Sequence, residues 1–155
     1  MKRGNDTPDG AGPAGLRRPS VLAWMRLARV YQKVDRASAE HLRRYGLSVA
    51  QFDVIARVGA GEGCTQQELA DSLLVTKGNV CQLLDRMERA HLILRRQEGR
   101  VNRLFLTEEG RRLFEKTVPL QEELIARSFC SLAQEEQETL LNLLRKLDHA
   151  LECEI

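Results

Sequence analysis

One short stretch leaves Lys77, Asn79, Gln82 and Arg86 facing outward on a potential helix, with Gly78 leaving a gap among them. Asn and Gln amides can pair bidentately with adenine, while Lys and Arg suit guanine or a phosphate oxygen. A second basic group follows at once, Arg95, Arg96, Arg100 and Arg103 around a Glu98-Gly99 turn. A positively charged hairpin tip can enter an A·T-rich minor groove, whose narrow width strengthens its negative potential. Glu98, two residues before Arg100, is expected to brace that guanidinium. This is the chemistry of binding rather than catalysis, and no enzyme is expected: the chain has no Gly-rich phosphate loop, no Gly-x-Ser-x-Gly and no His-Glu-x-x-His. Cys64, Cys81, Cys130 and Cys153 are scattered. Zinc needs paired ligands a few residues apart, so neither a metal nor a cofactor is expected, and four free thiols suit a reducing compartment.

To present those side chains the chain needs two crossed helices and a hairpin. Ala70 is small enough for a close crossing, and Leu69, Leu73, Val75, Val80 and Leu83 have the spacing of a shared core. Thr76 is a ready N-cap for the second helix. Helices are therefore expected over 65–73 and 76–90, with Gln66 and Gln67 opening the first, and strands over 92–96 and 101–106. Helix, turn, helix and basic hairpin make a winged helix-turn-helix.

Helices flank this unit. Trp24, Leu27, Tyr31, Val34, His41, Leu42 and Tyr45 mark a stripe from Pro19 to a Gly46 C-cap. A helix from Ser48 carries Phe52, Ile55, Ala56 and Val58 and is expected to stop at the glycines of 59–63. Thr107 can cap another, with Glu108 and Glu109 at its positive end. Pro119 inside it should kink it or remove one hydrogen bond. After a break near 131–134, Leu140, Leu141, Leu144, Leu147 and Leu151 form an apolar seam, too broad for one narrow face and best covered by a second copy. Residues 1–19 hold three of the four prolines and four of the eleven glycines, and read as a disordered tail. The expected fold is mostly α, about six helices plus a two-stranded wing. Residues 20–46 form an N-terminal dimerisation helix, 47–106 the DNA-binding domain and 107–155 C-terminal dimerisation helices.

Composition agrees. The 155 residues carry 24 Lys+Arg against 22 Asp+Glu, but the balance is uneven. Residues 77–103 are net +4, residues 47–76 net −3 and residues 134–155 net −4. A basic middle between acidic stretches suggests one polyanion-facing surface. The longest wholly apolar run is five residues, against roughly 20 for a membrane span. The charged N-terminus leads into no apolar h-region, so a cytoplasmic location is expected.

Several stretches together resemble the MarR family of transcriptional regulators: Gln66-Gln-Glu-Leu-Ala70, Val75-Thr-Lys-Gly-Asn-Val80, Leu84-Asp-Arg-Met-Glu88, His91-Leu-Ile-Leu-Arg95 and Leu106-Thr-Glu-Glu-Gly110. Gly46 to Ile55 is similar to the family's second helix, and the likeness spans roughly 20–153. It implies a homodimer with interlocked terminal helices, bound as a repressor to double-stranded DNA with an inverted repeat, half-sites about 10 bp apart. Gln66, Gln67, Thr76, Lys77, Gly78, Asn79, Gln82, Arg86, Arg96, Glu98 and Arg100 would serve DNA binding, Arg86 on phosphate and Arg100 in the minor groove. It further implies release by a small phenolic or anionic effector, for which Trp24, Tyr31, His41 and Phe52 are candidates. Three departures stand out: the wing reads Glu98-Gly99-Arg100 where the family has Asp, a basic residue and Arg; Gly78 replaces a small hydroxyl residue; Ala133 stands where Ser or Thr caps the last helix.

Two other readings remain. A winged helix can serve protein assembly, its basic face met by an acidic partner. Oxidation of Cys64 or Cys81 could instead make the chain a redox-responsive regulator. The alkyl-transferring DNA repair enzymes share only the winged fold, and their Pro-Cys-His-Arg motif is missing here.

Overall fold

A computed structural model of the chain describes residues 18–73 and 77–152. Helix α1 (Pro19–Arg43) is followed by α2 (Val49–Ala60), α3 (Gln66–Ser72) and α4 (Lys77–Arg89). A hairpin of β1 (Ile93–Glu98) and β2 (Val101–Leu106) comes next, and α5 (Glu108–Ser128) and α6 (Gln134–Glu152) complete the order. The tail expected over 1–19 lies outside the described residues except for Arg18 and Pro19, the latter opening α1. The chain divides into two compact units, Met1–Arg36 and Ala37–Ile155, the division falling inside α1.

In the second unit, residues at helical or alternate spacing close one core. Leu42 and Leu47 join Val54, Ile55 and Val58 of α2, Leu69 and Ala70 of α3, Val80, Leu84 and Met87 of α4, and Ile93, Leu104 and Leu106 of the hairpin, all buried. Leu73 and Leu83 are half-buried against it. Val75, also expected there, lies outside the described residues.

Short polar side chains start the helices. Ser48 and Thr65 each accept a hydrogen bond from the backbone N–H three residues on, and Gln51 and Glu68 accept the return bond. These are reciprocal capping boxes, each satisfying two donors that a helix start leaves open. Thr107 caps α5 by accepting from Gly110 N. At α6 the absent hydroxyl of Ala133 is half compensated, because Glu136 Oε2 accepts from Ala133 N at 2.8 Å.

Two expected features hold, one strand boundary needs correction, and one pairing is new. Helix α2 stops within the 59–63 glycine run, at Ala60 with Gly61 as its C-cap; Gly59 itself stays helical, and a Cβ there would lie 2.3 Å from the Phe114 ring, so this glycine admits α5 against α2. Pro119 leaves α5 a single helix, at the cost of its own backbone N–H. The first strand extends past Arg96 to Glu98, since the ladder continues to the Glu98–Val101 pair and a two-residue turn closes it. Gly99, at φ +62°, takes the left-handed conformation that turn requires. The fourth is a pairing the sequence did not suggest. Gly63 N donates to Leu104 O and Leu104 N to Cys64 O, with a bridge between Thr65 and Arg103, so the loop before α3 lies along the free edge of β2.

The long helices are only partly accounted for. Ser38 and Leu42 are buried, and Gln121 Nε2 of α5 donates to Ser38 Oγ. In the first unit α1 exposes Leu22, Trp24, Met25, Leu27, Val30 and Tyr31. No residue of α6 is buried, and Leu141, Leu143, Leu147 and Leu151 are all about half exposed or more.

Candidate nucleic-acid interface

Helix α4 has two distinct sides. Val80, Leu84 and Met87 face the core, while Gly78, Asn79, Gln82, Arg86 and Arg89 are exposed. At 3.6 residues per turn those five positions fall within an arc of about 100°. A Cβ on Gly78 would meet nothing within 4 Å, so the gap among the polar side chains is real. Arg86 Nε lies back on Gln82 O and Arg89 Nε on Asp85 O, leaving the rest of each guanidinium outward. Lys77 opens the helix; Thr76, expected as its cap and as a contact, lies outside the described residues.

The hairpin sorts its arginines by strand alternation. Arg95 shares the inner face with Ile93 and Leu104, and its side chain is only 20% exposed. Its Nη2 donates to Asp85 Oδ1 at 2.7 Å and to Cys81 O, its Nη1 to Glu88 Oε2 at 3.4 Å. Arg103, on the other face, donates through Nε to Glu98 Oε2 at 2.6 Å and through Nη1 to Gly63 O at 2.7 Å. Glu98 therefore braces Arg103, not Arg100 as expected, because the register places Arg100 in the turn, beyond the ladder. Arg96 lies over the Phe105 ring, 4.8 Å from its centroid, an attraction that holds the cation without neutralising it. Arg100 stands at the exposed tip.

This sorting sets the charge of the surface. All three acidic side chains between 77 and 103, Asp85, Glu88 and Glu98, are taken up by Arg95 and Arg103. Among the described residues Arg86, Arg89, Arg96 and Arg100 have no carboxylate partner. Four arginines without a carboxylate partner thus remain on α4's outer arc and the wing.

Other candidates are placed differently. Gln66 is half-buried, and its Nε2 donates to Cys81 Sγ, tying α3 to α4. Gln67 is exposed and donates to Asp71. Hydrogen bonds from the Thr65 backbone N–H and hydroxyl hold the Glu68 carboxyl below its ordinary value. Burial, then the nearby Glu68 charge, pushes the Cys64 thiol up and keeps it protonated, which disfavours the reactive thiolate. Cys81 is half-buried and Cys130 exposed; Cys153 lies outside the described residues. Of the effector candidates, Trp24 and Tyr31 are each 67% exposed in the first unit. In the second, Phe52 packs on the core and the His41 ring tilts against Tyr45, its Nε2 buried without a partner. No described helix is long and apolar enough to cross a membrane.

Sequence reasoning missed the inward role of Arg95 and the bracing role of Arg103 at the wing base. The signal was available: period two from Ile93 puts position 95 on the core face, and Cys81, Asp85 and Glu88 recur at one side of α4.

Comparison with known proteins agrees with this geometry. A MarR family model matches residues 45–103. An uncharacterized HTH-type transcriptional regulator of Bacillus cereus is 35% identical over 127 residues, 81% of this chain and 86% of that protein. The HTH-type transcriptional repressor MdtR of Bacillus subtilis (strain 168) is 28% identical over 131 residues, 83% of this chain and 84% of its own length. A mutant MarR from E. coli, solved complexed with operator DNA, superposes with a TM-score of 0.74 at 28% identity, over 83% of this chain and 95% of that one. The matched family and these relatives are transcriptional regulators, not enzymes. With a winged helix-turn-helix built as above and relatives that match over most of its length, the chain belongs to the MarR family of HTH-type transcriptional regulators.

Proposed function

We propose that the protein is a repressor that binds an inverted-repeat operator as a homodimer, laying α4 of each copy in a major groove and the Arg100 tip in the adjoining minor groove. The observation that carries this reading is the outer arc of α4, where Asn79 and Gln82 stand exposed between arginines without carboxylate partners. Amides there can read base edges, and guanidiniums beside them can hold phosphates. MdtR, named a repressor, and the operator-bound MarR support the same reading by likeness.

Dimerisation is favoured by the apolar surface that one chain leaves open. Leu132, Leu140 and Leu143, with Glu135, Glu136 and Thr139, line an open groove of about 410 Å³. Below it the leucines of α6 continue uncovered. Release by a small phenolic or anionic effector completes the proposal on the family likeness, with His41 the best-placed contact because its buried Nε2 lacks a partner.

Selection of bound duplexes from a random pool tests the reading. Palindromic half-sites about one helical turn apart are expected. Asn79→Ala or Gln82→Ala should then change base preference within each half-site, by about 1–3 kcal/mol per lost bidentate contact. Equal loss on every duplex would assign both residues to the backbone, and no enrichment would favour the assembly reading.

A further inference from the structure

We infer that Arg95 is a positioning residue, which sets the roll of α4 and the direction of the wing as one unit without touching DNA. Its consequence for binding rests on the DNA-binding reading above, whereas its geometry is a property of the free protein.

Three observations converge. Arg95 sits on the inner face of β1, beside Leu104, where a charged side chain is retained only if it is paired; its Nη1 and Nη2 are, while its Nε is buried without a partner. Its partners are Cys81 O, Asp85 and Glu88, at helical steps of four and three along a single line of α4. Its own backbone N–H also donates to Glu88 Oε1, at 3.1 Å, so Glu88 grips strand and side chain together. The acceptors are spread over two turns of α4 and are met by two nitrogens of one rigid planar fork; an ammonium also has three donors, but they share a single nitrogen on a flexible stem.

The line 81–85–88 lies roughly 120° around α4 from the centre of the Asn79–Gln82–Arg86 arc. Rotation of α4 that moved those three residues out of register would break the Arg95 contacts. Arg95 therefore fixes which residues α4 turns outward, and because it is a residue of β1 it fixes the wing to the same frame. On the far side of the hairpin Arg103 ties β2 to Gly63 O, so the wing base is held from both strands and the tip alone stays free.

The test uses the full chain with Arg95→Gln and Arg95→Lys. In the free protein, backbone amides of 93–103 should exchange with deuterium faster in Arg95→Gln, while those of α2 and α5 keep their protection. On a selected duplex, Arg95→Gln should weaken binding about tenfold, equivalent to ~1.4 kcal/mol. The decisive readout is coupling: Arg100→Ala should cost affinity in the wild-type chain and little or nothing in the Arg95→Gln chain, because a misdirected wing has no contact to lose. Arg95→Lys should recover less than half of the loss. Unchanged exchange over 93–103, or strictly additive losses for Arg95→Gln and Arg100→Ala, would overturn the inference. Should Arg95→Gln fail to fold, Asp85→Asn removes one partner at a half-exposed position and is held to the same criteria. If the wild-type chain binds no duplex, the DNA reading fails and the exchange result alone decides the role of Arg95.

Discussion

His91, Leu92, Thr107 and Gly110 meet where the wing joins its neighbours, and each is fixed by a backbone demand. His91 takes φ +57°, the only non-glycine with positive φ among the described residues. It ends α4 in a left-handed turn, with Leu92 N donating back to Met87 O. The Thr107 hydroxyl donates to His91 O, and Thr107 N to Leu92 O. Gly110 packs so closely that a Cβ would lie 2.0 Å from Leu92 O. Gly110→Ala is thus expected to destabilise by about 1–3 kcal/mol, since a backbone carbonyl cannot step aside. His91→Gly should stabilise by up to ~1 kcal/mol, because glycine takes the left-handed conformation without strain. Urea unfolding of the two variants checks both; opposite signs are the expected outcome. The Leu-Thr-x-x-Gly pattern was legible as a sequence signature, but its reason is a contact between residues 18 apart that no local pattern shows. For the same reason Glu98 looked like the brace of Arg100: proximity in sequence suggested it, and strand register gave the carboxylate to Arg103.

Among the elements, helices with polar starts and apolar stripes were the most legible. The starts of α2 after Ser48 and of α3 after Thr65 were legible, whereas the capping boxes with Gln51 and Glu68 that fix them first appear in the fold. Boundaries were less so where tertiary packing overrides a local signal. Gly59 looks like a helix breaker, yet continuing α2 lets Phe114 pack against its bare Cα. The alternation of β1 and β2 showed a hairpin, whereas the third pairing partner, 63–65, is too short to have a period. The exposed polar face of α4 was legible because the helix is strongly two-sided. Its orientation was not, since that depends on Arg95, a residue of a different element.

At the scale of the whole molecule, the apolar stripes on α1 and α6 are more exposed than a single chain should leave them. The sequence indicated a second copy through the breadth of the leucine seam, and the absence of any buried residue on α6 agrees with that reading. Leu147 is half exposed, so Leu147→Asp costs an isolated chain little. In a dimer it would bury an unpaired carboxylate, a loss of several kcal/mol per copy. Sedimentation at micromolar concentration should therefore show dimer for the wild-type chain and monomer for Leu147→Asp, with the helical signal of both preserved. A wild-type monomer would remove the second copy from the account. The effector candidates remain the least legible part, because Trp24 and Tyr31 are exposed in one chain and nothing in their spacing names what covers them.

On the reading proposed above, α4 and the wing grip duplex DNA through side chains the fold has left unpaired. The most direct test is the salt dependence of binding to a selected duplex, for the wild-type chain and Arg100→Ala. Each phosphate contact contributes a slope of about −0.9 in log affinity against log salt, so a steep wild-type line is expected. Arg100→Ala should lie below it, and be shallower by up to one released counterion per copy, because a guanidinium in the minor groove also displaces condensed cations. A flat wild-type line, or Arg100→Ala superposed on the wild type at every salt concentration, would contradict the account.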